Sequence, residues 1–161
     1  MEKIIIVIIM FIASTVLQAQ DKRYTVFGSI DPGATYKDGF NIGVGVEYQM
    51  TYTYVKTQLF AFPDLRGKDY FEWTSVPFTS INLHSLFDEW RYYSGFKIGL
   101  IKREAVHPTI GFEAGIDRYF DNGFYIGVTS SEDLRTDGKE WEPDIENYWR
   151  LSTFFKIGVA F

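Results

Sequence analysis

Five stretches of the chain repeat one phrase: FNIGVGVEY at 40–48, FKIGLIK at 96–102, TIGFEAGID at 109–117, FYIGV at 124–128 and FKIGVAF at 155–161. In each, apolar residues alternate with polar or small ones, the period of a strand with two different faces. Over 40–49, Phe40, Ile42, Val44, Val46 and Tyr48 share one face, and Asn41, Gly43, Gly45, Glu47 and Gln49 share the other. The last stretch alternates longest. Trp149, Leu151, Thr153, Phe155, Ile157, Val159 and Phe161 oppose Arg150, Ser152, Phe154, Lys156, Gly158 and Ala160. A phosphate-binding glycine loop is excluded at 43–48, because Tyr48 stands where the third glycine belongs and strand-forming residues follow in place of a helix.

Nearly all the glycines inside the clear strands lie on the face that carries Glu47, Lys97, Glu113 and Lys156. In a soluble barrel that face would meet water, and glycine there would weaken the strands without gain. Turned inside out, the pattern has a purpose: bulky apolar residues face outward and glycines make room in a narrow, charged interior. Three further strands are expected at 24–30, 52–62 and 74–83. Val55, Leu59 and Ala61 oppose Lys56 and Gln58 in the second, Pro77 weakens pairing in the third, and the registers of 24–30 and 74–83 are not fixed by their own residues. The expected fold is all-β, an eight-stranded antiparallel up-and-down transmembrane β-barrel. Glu47, Glu113 and Asp117 are expected to pair inside it with Lys56, Lys97, Arg150 and Lys156, since unpaired ions in a space of low dielectric are costly. Longer connections at 31–39, 63–73 and 130–147 alternate with shorter ones, as surface loops alternate with periplasmic turns. Tyr92, Tyr93, Phe120, Tyr125, Tyr148, Trp149 and Phe161 fall near predicted strand ends, where rings favour a membrane interface.

The chain has 161 residues, one domain's worth, and a net charge of -5 that argues against a nucleic-acid partner. It has no cysteine, which removes thiolate metal sites, disulfides and thiol catalysis. Residues 1–19 have the layout of a signal peptide: a lysine near the start, an apolar run from Ile4 to Ile12, and a small, polar exit from Ser14 to Ala19. The run is too short to span a bilayer, so the mature barrel domain is expected over 20–161.

The closing stretch YWRLSTFFKIGVAF resembles the C-terminal targeting strand of bacterial outer-membrane proteins, with Trp149, Leu151, Phe155, Ile157, Val159 and Phe161 on its apolar face. With the signal peptide, the whole mature chain is similar to small eight-stranded outer-membrane barrels of the OmpX and OmpA-transmembrane-domain type, in the style found in Bacteroidota and their phages. That resemblance implies an outer-membrane location with both termini periplasmic and insertion by the barrel-assembly machinery. The expected partners are outer-membrane lipid and lipopolysaccharide, the chain is expected to be a monomer, and no cofactor or metal is expected. It implies non-enzymatic work, with loops presented for envelope interaction, adhesion or control of access to surface and phage receptors.

Two other readings carry specific residues. An outer-leaflet lipid A enzyme would centre on His107 with Ser130 or Ser131, although the deacylase His-x-Ser spacing is absent and His84 falls at the opposite end. A secreted soluble barrel would make the aromatic face a core for a small apolar ligand. The acidic run Glu132, Asp133, Asp137, Glu140, Glu142, Asp144 and Glu146 matches no calcium-loop spacing and reads as a solvated loop.

Overall fold

The computed structural model describes residues 23–38, 40–65, 68–77, 79–84, 89–140 and 144–161; the expected signal peptide at 1–19 lies outside them. The strands are β1 (Tyr24–Ile30), β2 (Ile42–Gln49), β3 (Tyr54–Leu65), β4 (Lys68–Val76), β5 (Ser80–His84), β6 (Trp90–Lys102), β7 (Val106–Tyr119), β8 (Phe124–Arg135) and β9 (Tyr148–Ala160). All pair antiparallel. β1 bonds to both β2 and β9, and β4 bonds to both β3 and β6, which closes the ring. β4 and β5 are two pieces of one wall strand, since both pair with β6 and part around Pro77. The fold is a closed eight-stranded antiparallel barrel.

The start of β1 and the end of β9 meet at one rim, where Tyr24 and Phe161 exchange backbone hydrogen bonds of 3.0 and 2.8 Å. The connections 50–53 and 120–123 share this rim, where β5 also ends and β6 begins. The tightest, Asp121–Asn122–Gly123, turns on Gly123 at φ 82°, a conformation that side chains rarely adopt. At the far rim a short helix, α1 (Pro32–Asp38), follows β1. Asp31 caps it by accepting the Ala34 amide at 3.0 Å, and Asn41 pins the cap through the Asp31 amide and carbonyl at 2.7 and 2.8 Å.

The two faces of the wall follow the alternation read in the sequence, and they are inverted relative to a soluble barrel. Ile42, Val44, Val46, Leu59, Trp73, Ile110, Phe112, Leu151, Phe155 and Ile157 are exposed, with Leu151 at 75%. Between them Glu47, Lys56, Gln58, Glu72, Lys97, Glu113, Asp117, Asp133 and Lys156 are buried. Towards the far rim the interior turns apolar. Phe60, Phe62, Tyr70 and Ile101 pack with Ala34 of α1 and with Phe154, level with Glu72, which stands opposite both Phe60 and Ile101.

Register explains the glycines. Gly45 lies directly opposite Phe27, Gly43 opposite Phe60, Gly115 opposite Tyr93, Gly127 opposite Asp117 and Gly158 opposite Tyr125. A Cβ at any of these would overlap that opposing side chain. Each of these five glycines is therefore the floor on which a neighbour's ring or carboxylate lies. Gly28 is the exception: it sits between inward Phe27 and Ser29, faces outward, and a Cβ there meets nothing nearer than 3.9 Å.

Several expectations are corrected. The stretch 63–73, expected as a surface loop, is a hairpin: β3 runs to Leu65 and β4 starts at Lys68, with a register shift around Pro63, which has no N–H to donate. In 130–147 the first residues, Ser130–Arg135, continue β8, and most of the expected loop 31–39 is α1. Tyr93 and Tyr125, expected at the membrane interface, point inward and are 4% and 1% exposed, because both share parity with the charged face.

The packing makes a direct prediction. Gly115→Ala should destabilise the barrel by about 1–3 kcal/mol through overpacking against Tyr93. Gly28→Ala should be neutral or slightly stabilising. Urea unfolding midpoints of the two variants check this, and equal midpoints would contradict it.

Candidate functional site: the charged interior

Burial forces each interior ion to find a partner, and the alternation of each strand decides which ions are interior. Near the rim where β1 starts and β9 ends, the Arg91 guanidinium, 0% exposed, bridges Glu47 at 2.6 Å and Asp117 at 3.0 Å. It also donates to the Asn82 side-chain oxygen at 2.5 Å and stacks over the Tyr93 and Tyr54 rings. Lys156 on β9 reaches Asp117 on β7 past the intervening β8, at 2.8 Å. In the middle, the Lys56 ammonium is chelated by both Glu113 oxygens, and the Tyr54 hydroxyl donates to Glu113 at 2.8 Å. Beside them, Lys97 pairs with Asp133 at 2.7 Å and donates to Ser131 at 3.1 Å. Towards the far rim, Arg135 pairs with Glu72 at 2.9 Å and Asp137 at 3.4 Å and donates to the Tyr70 hydroxyl. Arg103 meets Asp137 at 2.7 Å, and Arg150 lies 3.8 Å from Asp31.

Among the described residues this makes seven carboxylates (Asp31, Glu47, Glu72, Glu113, Asp117, Asp133, Asp137) with seven cations (Lys56, Arg91, Lys97, Arg103, Arg135, Arg150, Lys156). The chain's negative charge therefore lies outside this network. The seven residues singled out from sequence all join it, but only Lys56–Glu113 and Lys156–Asp117 pair with each other. Glu47, Lys97 and Arg150 take partners that sequence reasoning left out: Arg91, Asp133 and Asp31. The C-terminal residues Trp149, Leu151, Phe155 and Ile157 face outward, with Val159 and Phe161 half-buried on the same face.

Some partners were legible in principle. Arg91 continues the parity of Lys97, and Asp133 and Arg135 continue that of Ser131. Asp133 and Arg135 were missed because outward Ser130 and Glu132 break the apolar alternation that marks a strand. Glu72, flanked by outward Phe71 and Trp73, was hidden inside the expected loop 63–73. Asp133 and Asp137, expected in a solvated acidic loop, are 2% and 0% exposed.

At the far rim, one carboxylate ties two connections together. Glu140, in a short 3-10 turn (Gly138–Glu140), accepts the amides of Glu104 and Ala105 at 3.2 and 3.1 Å and a hydrogen bond from His107 Nε2. Its partial burial alone would raise its pKa, but the bonds from His107 and the two amides outweigh that and hold it below its ordinary value. The serines expected near His107 are elsewhere. Ser131 stands opposite Glu113, six residues along β7 from His107 and on the order of 20 Å away at strand rise, where it receives Lys97. Ser130 faces outward and bonds to Thr153.

A closed eight-stranded barrel with an apolar outside and a filled, ion-paired inside defines a class. The arrangement is consistent with the small outer-membrane barrel type. No family model matches the chain, and no curated protein matches it.

Two outcomes follow from this chemistry. Arg91→Ala leaves Glu47 and Asp117 without their shared cation and should cost about 3–5 kcal/mol, whereas replacing Lys56 and Glu113 together by Met should cost less than either single change, because no ion is stranded. Urea titrations of the four variants decide it. For Glu140, a lowered folded pKa means that its contribution is complete above the unfolded value and is lost as pH falls through the folded one. The amides of Glu104 and Ala105 should accordingly lose exchange protection below the carboxylate range. Glu140→Ala should remove that protection at neutral pH while leaving 91–95 protected.

Proposed function

We propose that this chain is a non-enzymatic outer-membrane β-barrel of the OmpX-like type from a Gram-negative bacterium of the Bacteroidota or one of its phages. It is exported by the signal peptide at 1–19, inserted by the barrel-assembly machinery, and monomeric with both termini periplasmic. One observation carries the reading. Large apolar side chains cover the outside of every wall strand, from Ile42 and Val44 through Trp73, Ile98 and Phe112 to Phe155 and Ile157, while the ions are paired inside. A monomer in water rarely exposes so continuous an apolar surface, whereas lipid requires it. Closure of the ring supports the same reading, since a spanning sheet has no water to satisfy an open edge.

The barrel's work is then done at its far rim. The interior is filled by paired ions and, towards the far rim, by an apolar cluster, so selective or general transport is not its purpose. What it offers outward is α1, the β3–β4 hairpin and the connection 136–147, held on a rigid wall in contact with lipopolysaccharide. Contact with another surface, or control of access to surface and phage receptors, is the function such a scaffold serves.

The test is direct. The full chain, expressed and fractionated, should enter the outer membrane and run faster on SDS gels unboiled than boiled. Recovery in the soluble fraction without a shift would overturn the reading in favour of a soluble barrel. Deletion of 138–146, with the heat shift retained, should change adsorption, adhesion or phage sensitivity; unchanged values in all three would remove the surface role while leaving the membrane assignment.

A further inference from the structure

β5 holds a place in the wall that no other strand shares. It is laddered to β6 alone, and the hydrogen-bonded order of the sheet ends on it. On the β6 side, Ser75 faces Ile98 and Ser80 faces Gly95, so five residue steps of the β4–β5 strand span three steps of β6. The two extra residues fall around Pro77, which has no N–H for a ladder. On the β3 side the regular register ends at Lys56 opposite Val76. Beyond it, among the described residues, side chains make most of the hydrogen bonds across the wall. Ser80 Oγ accepts the Tyr54 amide at 2.9 Å, donates to the Tyr54 carbonyl at 2.6 Å and meets Thr53 Oγ1 at 2.7 Å. One hydroxyl thus stands in for a whole backbone pair. Below it, the seam is completed by the Asn82 amide on the Tyr52 carbonyl and the Asn82 side chain on the Met50 carbonyl, each at 2.9 Å.

From this geometry we infer that the barrel has a lateral gate between β3 and β5, latched by Ser80, through which the buried Tyr54, Val76 and Tyr93 cluster is reached from outside the wall. The β1–β9 seam, where the start of β1 meets the end of β9, is not the weak one: six consecutive residue pairs hold it. Among the described residues the backbone–backbone bond across β3–β5 is the one from Asn82 to Tyr52, and a local opening costs only what it breaks. Behind the gate lie Tyr54, Val76 and Tyr93, each at most 4% exposed, and just beyond them the Lys56–Glu113 pair that Tyr54 touches. The inference stands on the wall's hydrogen bonds and not on the membrane assignment.

The chain's lack of cysteine allows a clean test. Val76→Cys places a thiol behind the gate, and Thr25→Cys places one behind the fully laddered β1, at positions 0% and 1% exposed in the native protein. In the folded full chain in detergent micelles, a small uncharged maleimide should modify Cys at 76 faster than Cys at 25. Adding Ser80→Ala should speed the reaction at 76 by about tenfold or more and leave that at 25 unchanged. Equal acceleration at both sites would mean general loosening and would overturn the gate, as would no acceleration at 76. Amide exchange on the unmutated protein provides a check that needs no variant to fold. The amides of Tyr54 and Asn82 should exchange well ahead of those paired across β1–β9, and uniform exchange would contradict the inference.

Discussion

Everything in this barrel depends on keeping charge neutral in a space too narrow for water to do it. Eight strands enclose room for side chains and little more, yet alternation sends Lys, Arg, Asp and Glu inward from nearly every strand. Each ion therefore needs an opposite ion across the lumen, and reaching it requires that the wall between offer no bulk. Glycine supplies that room. Asp117 lies over Gly127 to meet Arg91 and Lys156, and Tyr93 lies over Gly115 to stack on Arg91. Register, glycine placement and ion pairing are one constraint seen three ways, because slipping a strand by one residue would send its ions to the outside.

That constraint also divides the molecule by height. The rim bearing the start of β1 and the end of β9 rests on the Arg91 network, and the middle rests on two lysine–carboxylate pairs. Towards the far rim Phe60, Phe62, Tyr70, Ile101 and Phe154 pack with Ala34 of α1, level with Glu72. Two connections are fastened at this end, α1 through Asp31 and Asn41 and residues 136–140 through Glu140. A filled lumen with anchored connections suits a scaffold better than a conduit.

Much of this was legible in the residues. The phrase FKIGVAF and its relatives carry both the period of two and the glycine face, and the structure keeps both in β2, β6, β7, β8 and β9. Half of the ionic network was legible for the same reason. The rest was hidden where outward positions turn polar. Ser130 and Glu132 made β8 look like loop, so Asp133 and Arg135 were read as solvated when they face the lumen. Glu72 was hidden because 63–73 was expected as one long connection, whereas β3 runs to Leu65 and β4 starts at Lys68. The break at Pro77 was visible as a weakness, but no local pattern announces that Ser80 would take over the backbone's role there. That substitution depends on β3, distant in sequence.

The central claim is that the glycine-bearing face is inside and the apolar face meets lipid. Nitroxide labels placed singly at each position from 42 to 49, with the protein reconstituted in bilayers, test it most directly. Relaxation by dissolved oxygen should rise at 42, 44 and 46 and fall at 43, 45 and 47, with soluble nickel complexes reaching neither set. The reverse alternation, or nickel contact along the apolar face, would contradict the account.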